Sequence, residues 1–107
     1  MAKISKKKRQ ETPKLLQLDS AKMAAQIRGA RAVLNWSQTD LAARAGLTQH
    51  TIHRLEQGTS DIRRSTALAI ENVLSEAGVQ FEQLPDSGFK IVISGRILKK
   101  VRATARK

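Results

Sequence analysis

Residues 38–57 read QTDLAARAGLTQHTIHRLEQ, a stretch in which apolar side chains keep a helical spacing on both sides of one glycine, Gly46. Leu41 and Ala45 lie one turn apart before this glycine, and apolar residues recur at i and i+3 after it. Glycine can take the positive φ that a sharp turn between two helices requires. We therefore predict two short helices joined by a tight turn. Ala42 is expected where the helices approach most closely, because a larger side chain would push them apart.

Local signals also mark the ends of these two helices. Ser37 and Thr48 are favourable N-cap residues, since their hydroxyl oxygens can accept from the free amides of the first turn. Asp40 adds an acidic side chain to the first turn of the helix that precedes Gly46, where the helix dipole favours negative charge. Gly58 is expected to end the helix that follows Gly46.

Further helices are predicted on both sides of this pair. Apolar spacing predicts a helix over 20–34 and another that begins at Ser65 and ends at Gly78. After Gly78, VQFEQ alternates, LPDSG is a turn cluster, and FKIVI is apolar and β-branched, which favours a β-hairpin or a single edge strand. The expected fold class is therefore all-α, a compact bundle of four to five helices followed by this β segment. The basic segment after it fits either a short helix or a disordered tail.

The net charge of +11 is confined to the two ends of the chain. Residues 1–14 and 95–107 together hold twelve of the 20 basic side chains but only one of the 9 acidic ones. Residues 15–94 therefore hold eight side chains of each sign and have no net charge. Basic tails on a neutral domain suit a polyanion, most often nucleic acid, because they neutralise phosphates and release counterions. The alternative is that the tails serve only to keep a small protein soluble.

The composition argues against several other classes of protein. With no cysteine, the chain can form neither disulfides nor thiolate metal sites. His50 and His53 stand at i and i+3, but no neighbouring carboxylates complete a site, so we predict no metal and no cofactor. No nucleophile–base set or glycine-rich phosphate loop is present, so an enzyme is not expected. The basic N-terminal segment lacks the apolar core of a signal peptide, and no stretch of the sequence approaches the ~20 consecutive apolar residues of a membrane helix. These features predict a soluble cytoplasmic protein.

The stretch SQTDLAARAGLTQHTIHRLEQG resembles the Cro/cI-repressor, or Xre-type, helix-turn-helix family in its turn, its apolar positions and its terminal E-x-G. The resemblance covers roughly residues 20–78. It implies a lambda-repressor-like DNA-binding domain whose third helix lies in the major groove, with its N-terminal residues against base edges.

The resemblance also implies roles for individual side chains. Base contacts are expected from Gln49, His50, Thr51 and Arg54, where Thr51 can instead contact a phosphate. Arg31 and Glu56 match an internal ion pair between the first and third helices of the domain, and Ala42 and Gly46 are structural. Phosphate contacts are expected at the start of the second helix and in or beside the loop after the third: Ser37, Gln38, Thr59, Ser60, Arg63 and Arg64.

These features together predict a sequence-specific DNA-binding transcriptional regulator of the nucleoid, expected to be a repressor acting as a homodimer on a palindromic operator. The predicted domains are a disordered basic arm over 1–19, the helix-turn-helix domain over 20–78, a segment over 79–94 that supplies the dimer contact, and a basic tail over 95–107. Three alternatives remain. They are an antitoxin that binds both its promoter and a toxin protein, a phage or mobile-element control protein, and an adaptor that binds nucleic acid without sequence preference.

Overall fold

A computed structural model of the protein describes residues 20–59 and 61–98. Four helices come first, α1 (Ser20–Leu34), α2 (Gln38–Ala45), α3 (Gln49–Glu56) and α4 (Arg64–Ala77), followed by strands β1 (Val79–Gln83) and β2 (Phe89–Ile93). Residues 95–98 are again helical. The predicted arm over 1–19, Ser60 and the tail from 99 onward lie outside the described residues.

The prediction of a helical bundle followed by a β segment is confirmed, and the β segment is a hairpin rather than one edge strand. The two strands pair antiparallel, with Val79 opposite Ile93 and Phe81 opposite Ile91. α4 begins at Arg64, one residue before the predicted start. Its N-cap, Arg63, makes no side-chain capping hydrogen bond, so no local signal marks this end.

The tight turn between α2 and α3 is formed as its sequence predicts. The Ser37 hydroxyl accepts a 2.9 Å hydrogen bond from the Asp40 amide, and the Asp40 carboxylate accepts one of 2.9 Å from the Ser37 amide. This reciprocal capping box satisfies two of the free donors at the start of α2. Gly46 ends α2 at φ 71°, a left-handed conformation that costs an L side chain about 1–2 kcal/mol but costs glycine little. The Thr48 hydroxyl then caps α3 by accepting from the Thr51 amide at 3.1 Å.

Apart from Phe81, the core is built of aliphatic side chains and Met23, and every helix and the hairpin contribute to it. Ile27 of α1, Leu41 of α2, Ile52 of α3 and Ile70 of α4 have no exposed surface. Trp36, between α1 and α2, is only half-buried against this core. The guanidinium carbon of Arg44 lies over the Trp36 ring, 4.4 Å from its centroid, a favourable cation–π distance.

The hairpin closes the bundle beside α1. Phe81 of β1 is buried and meets Phe89 of β2 edge to face, with ring centroids 6.4 Å apart. Ile91 approaches α1 so closely that a Cβ on Gly29 would lie 2.7 Å from its Cδ1 atom. Glycine at this position therefore sets how closely β2 can pack on α1. None of the helices in the described parts of the chain combines the length and the apolar character needed to cross a membrane.

Candidate nucleic-acid interface

α3 has one face in the core and one face toward solvent. Ile52 and Leu55 are buried under the other helices. The opposite face carries the predicted base-contacting side chains: Gln49, His50 and Arg54 are exposed and Thr51 is half-buried. This face offers amide, imidazole, hydroxyl and guanidinium groups in a single helix of 8 residues.

The first residues of α2 and α3 are joined by their side chains. Gln49 donates its Nε2 amide to Oε1 of Gln38 at 2.6 Å, and Gln38 in turn donates its own Nε2 to Oε1 of Glu56 at 3.0 Å. Glu56 is the last residue of α3 and its side chain is only 4% exposed. A chain of hydrogen bonds therefore runs from the buried end of α3, through the start of α2, to the exposed start of α3.

The ion pair predicted between Arg31 and Glu56 is present and bidentate. Nε of Arg31 donates to one carboxylate oxygen of Glu56 at 2.6 Å and Nη2 donates to the other at 2.9 Å. The third guanidinium nitrogen donates to the carbonyl of Trp36 at 2.8 Å. Arg28 adds a 2.6 Å hydrogen bond from its Nη1 to the backbone carbonyl of Glu56. α1 thus holds the C-terminal end of α3 through two arginines.

The charges at this junction shift the protonation equilibria of the acids. Burial alone would raise the pKa of Glu56, but the hydrogen bonds from Arg31 and Gln38 and the nearby positive charges outweigh it and hold that pKa below its usual value. The hydrogen bonds from the Ser37 amide and hydroxyl lower the pKa of Asp40 in the same way. Glu56 is therefore a carboxylate at neutral pH and can only accept hydrogen bonds.

The predicted phosphate-contacting residues occupy different settings. Ser37 is exposed but its hydroxyl caps α2, and Gln38 is half-buried within the hydrogen-bonded chain. Thr59 is exposed after α3, and Arg63 and Arg64 are exposed at the start of α4. Ser60 lies outside the described residues.

Two features of the site are absent from the predictions made on the sequence. One is Arg28, which lies one helical turn before Arg31 and so on the same face of α1, a spacing that could have indicated a second arginine at the junction. The other is the direct bond between Gln38 and Gln49, for which the sequence contains no local signal. Within residues 20–59 and 61–98, no group of three acidic or histidine side chains is placed to hold a metal ion.

Comparison with protein families matches residues 27–76 to a family described as helix-turn-helix. The matched range runs from α1 through α4 and includes the whole hydrogen-bonded junction. No curated protein matched the chain.

Proposed function

Residues 27–76 belong to the Cro/C1-type helix-turn-helix family, whose members are DNA-binding regulators rather than enzymes, and on that premise we propose that this protein is a sequence-specific transcriptional repressor. It binds a palindromic operator as a homodimer, in the cytoplasm and at the nucleoid. The observation that carries the proposal is the hydrogen-bonded chain from Glu56 through Gln38 to Gln49, because it fixes the donor and acceptor pattern at the exposed start of α3.

The orientation of both glutamine amides follows from the Glu56 carboxylate. Since this group only accepts, Gln38 must turn its amide nitrogen toward it and its carbonyl oxygen toward Gln49. Gln49 must then donate to that oxygen, which leaves its own carbonyl oxygen and one N–H for an external partner. Adenine offers the matching pair in the major groove, an N6 donor beside an N7 acceptor, whereas guanine offers two acceptors. We therefore assign Gln49 to an adenine in each half-site.

The remaining exposed groups of α3 extend the contact. Arg54 suits O6 and N7 of a guanine, which guanidinium groups bind through two hydrogen bonds. His50 and Thr51 contact neighbouring bases or the backbone. Phosphate contacts, which set position rather than sequence, come from the start of α2 and from the loop after α3 with the start of α4: Ser37, Gln38, Thr59, Ser60, Arg63 and Arg64.

The basic ends of the chain supply affinity that does not depend on sequence. Residues 1–14 contain six basic side chains and only one acidic side chain. This segment therefore neutralises phosphates on any DNA. Deleting residues 1–12 lowers the affinity for operator and random DNA alike, and reduces the slope of log affinity against log salt. An unchanged slope would show that residues 1–12 make no contacts with DNA phosphates.

A dimer is needed because one helix in the groove contacts only a few base pairs. Two copies related by a two-fold axis, with their α3 helices about 34 Å apart, cover two half-sites on one face of the duplex. Doubling the contacts in this way yields the large ratio of specific to non-specific affinity that a repressor requires.

Binding titrations test the proposal, with an operator first selected from random DNA by the purified protein and with random DNA for comparison. The wild-type protein should prefer the operator by at least about a thousandfold at physiological salt. Arg54→Ala should lose most of this preference while its thermal unfolding stays close to wild type. Arg44→Ala is the charge-matched control, because Arg44 is exposed near the end of α2 beside Trp36, outside the predicted DNA contacts and the predicted dimer segment. Equal affinity of the wild type for both DNAs would instead favour a non-specific adaptor.

A further inference from the structure

The two basic ends of the chain join the folded domain at different places. Residues 1–12 and residues 99–107 each hold five basic side chains, with one acidic side chain in the first segment and none in the second. Both segments lie outside the described residues, whereas the residues that attach them to the domain lie within them. The points of attachment limit the surface that each segment can reach, because a chain spans at most about 3.6 Å per residue.

Residues 1–12 approach the domain on the side that the proposed function turns toward the operator. α1 begins at Ser20, and its first turn packs on the end of α3. A Cβ on Gly58 would lie 3.8 Å from the carbonyl oxygen of Ser20. Gly58 precedes the loop whose residues, with Arg64 at the start of α4, are the proposed phosphate contacts. The N-terminal basic segment therefore reaches the operator phosphates directly.

Residues 99–107 leave the domain at the opposite end of α4. The short helix before them is held there by Ile97, which is buried and so close to Gly78 that a Cβ on this glycine would lie 2.7 Å from its Cδ1 atom. Arg96 donates from Nη2 to the backbone carbonyl of Glu76, in the last turn of α4, at 3.0 Å. α4 has 14 residues, which makes it about 21 Å long. The C-terminal segment thus begins about 20 Å from the phosphate contacts proposed at the start of that helix.

This distance keeps most of the C-terminal charge away from the operator. Fully extended, the nine residues 99–107 span about 30 Å. Returning along α4 uses about 20 Å of that length, which leaves only about the last three residues at the operator phosphates. Those residues carry two of the five basic side chains, Arg106 and Lys107. The other three, Lys99, Lys100 and Arg102, remain toward the far end of α4.

We propose that residues 99–107 bind the phosphates of a second DNA duplex, so that the protein on its operator bridges two segments of DNA. This inference rests on the proposed function, because α3 and the loop after it define the side that faces the operator. In the homodimer, two such segments contribute ten basic side chains and no acidic one. Arg96 adds charge beside each segment, since it bonds a carbonyl of α4 rather than a carboxylate. These contacts are to phosphates and therefore carry no sequence preference.

The composition of residues 99–107 favours duplex DNA over a protein or a single-stranded nucleic acid. Besides the five basic side chains, the segment contains only Val101, Thr104 and two alanines. Protein interfaces depend on aromatic and other large anchoring side chains. Single strands are bound by stacking of their bases on aromatic side chains. The segment has neither, whereas neutralising the phosphates of a duplex requires only positive charge.

Capture of a second duplex by an operator complex tests the proposal. A duplex with the selected operator is fixed to beads and saturated with protein, unbound protein is washed away, and a labelled random duplex is added. The wild type should retain the labelled duplex, and capture should fall steeply between about 50 and about 200 mM salt. Deleting residues 99–107 should reduce capture by about tenfold or more, while operator affinity and its salt dependence stay close to wild type.

Deletion of residues 1–12 is the matched control, because it removes the same number of basic side chains. It should lower operator affinity but leave capture per bound protein unchanged. The C-terminal deletion keeps Ile97 in place, and circular dichroism checks that the fold is retained. A full-length variant with Lys99→Gln, Lys100→Gln and Arg102→Gln removes charge without truncation and should also lose capture.

Capture that survives both C-terminal changes would overturn the proposal. So would a loss of operator affinity with unchanged capture, which would place residues 99–107 on the operator itself. Preferential capture of a labelled single-stranded RNA would overturn the assignment to duplex DNA. Titrations without beads distinguish these failures from failure of the proposed function, which is a wild type that binds operator and random DNA equally.

Discussion

Gln49 donates a 2.6 Å hydrogen bond to Gln38, so the side chain that begins α3 is held by the side chain that begins α2. Gln38 is itself held by Glu56, and Glu56 by Arg31 of α1. Residues from three helices therefore determine how one exposed amide is presented. In this arrangement, the ion pair that stabilises the bundle also orients the group assigned to adenine.

Coupling between Gln38 and Gln49 should be measurable in DNA binding. Gln38→Met keeps the size of the side chain but removes the acceptor, so Gln49 becomes free to rotate its amide and loses discrimination for adenine. A double-mutant cycle with Gln49→Ala, measured as the ratio of affinities for the operator and for an operator with that adenine replaced, should give a coupling energy of about 0.5–3 kcal/mol. Strictly additive effects would show that Gln38 does not orient Gln49.

Removal of Arg31 should destabilise the fold. Arg31→Ala leaves the nearly buried Glu56 carboxylate without its bidentate partner, and loss of one member of a buried pair typically costs about 3–5 kcal/mol. Arg28→Ala is the matched control, because Arg28 is exposed and hydrogen-bonds the backbone carbonyl of Glu56 rather than its carboxylate, so its removal should cost less, about 1–2 kcal/mol. Urea unfolding measures both. Similar losses for the two variants would mean that the ion pair adds little beyond an ordinary hydrogen bond.

Stability should fall in acid because of Glu56. Its pKa is lower in the folded protein than in the unfolded chain, so its contribution is complete above the ordinary glutamate pKa of about 4.3 and is lost as the pH falls through the lower folded value. Asp40, whose pKa is lowered by Ser37, contributes with the same sign. The free energy of unfolding of Glu56→Gln should therefore change less between pH 7 and pH 3 than that of the wild type. An identical pH dependence would assign the acid sensitivity to other groups.

The sequence predicts the helix ends and the turn between α2 and α3, because residues close to one another in the chain determine these features. Ser37 and Thr48 cap their helices through bonds within one turn, and Gly46 takes the positive φ expected at the turn. The start of α4 is missed by one residue because Arg63 makes no capping bond there. Gln26, buried in α1 although polar, shows that apolar periodicity alone does not define the core.

The sequence predicted the ion pair at the candidate site but not the other hydrogen bonds that join its residues. Arg31 and Glu56 occupy positions typical of an ion pair in the resembling family, and the structure joins them. The bond between Gln38 and Gln49 depends on how the first turns of two separate helices meet, which only the packing of the bundle determines.

The central claim is that Gln49, oriented through Gln38, contacts an adenine in each half of a palindromic site. Selection of binding sites from random DNA by the purified full chain, compared between wild type and Gln49→Ala, tests it most directly. The wild type should enrich two inverted half-sites about one helical turn apart, each with an adenine at a fixed position. Gln49→Ala should enrich the same palindrome with that position relaxed. The claim is contradicted if the wild type enriches no motif, or if the substitution leaves the adenine preference intact.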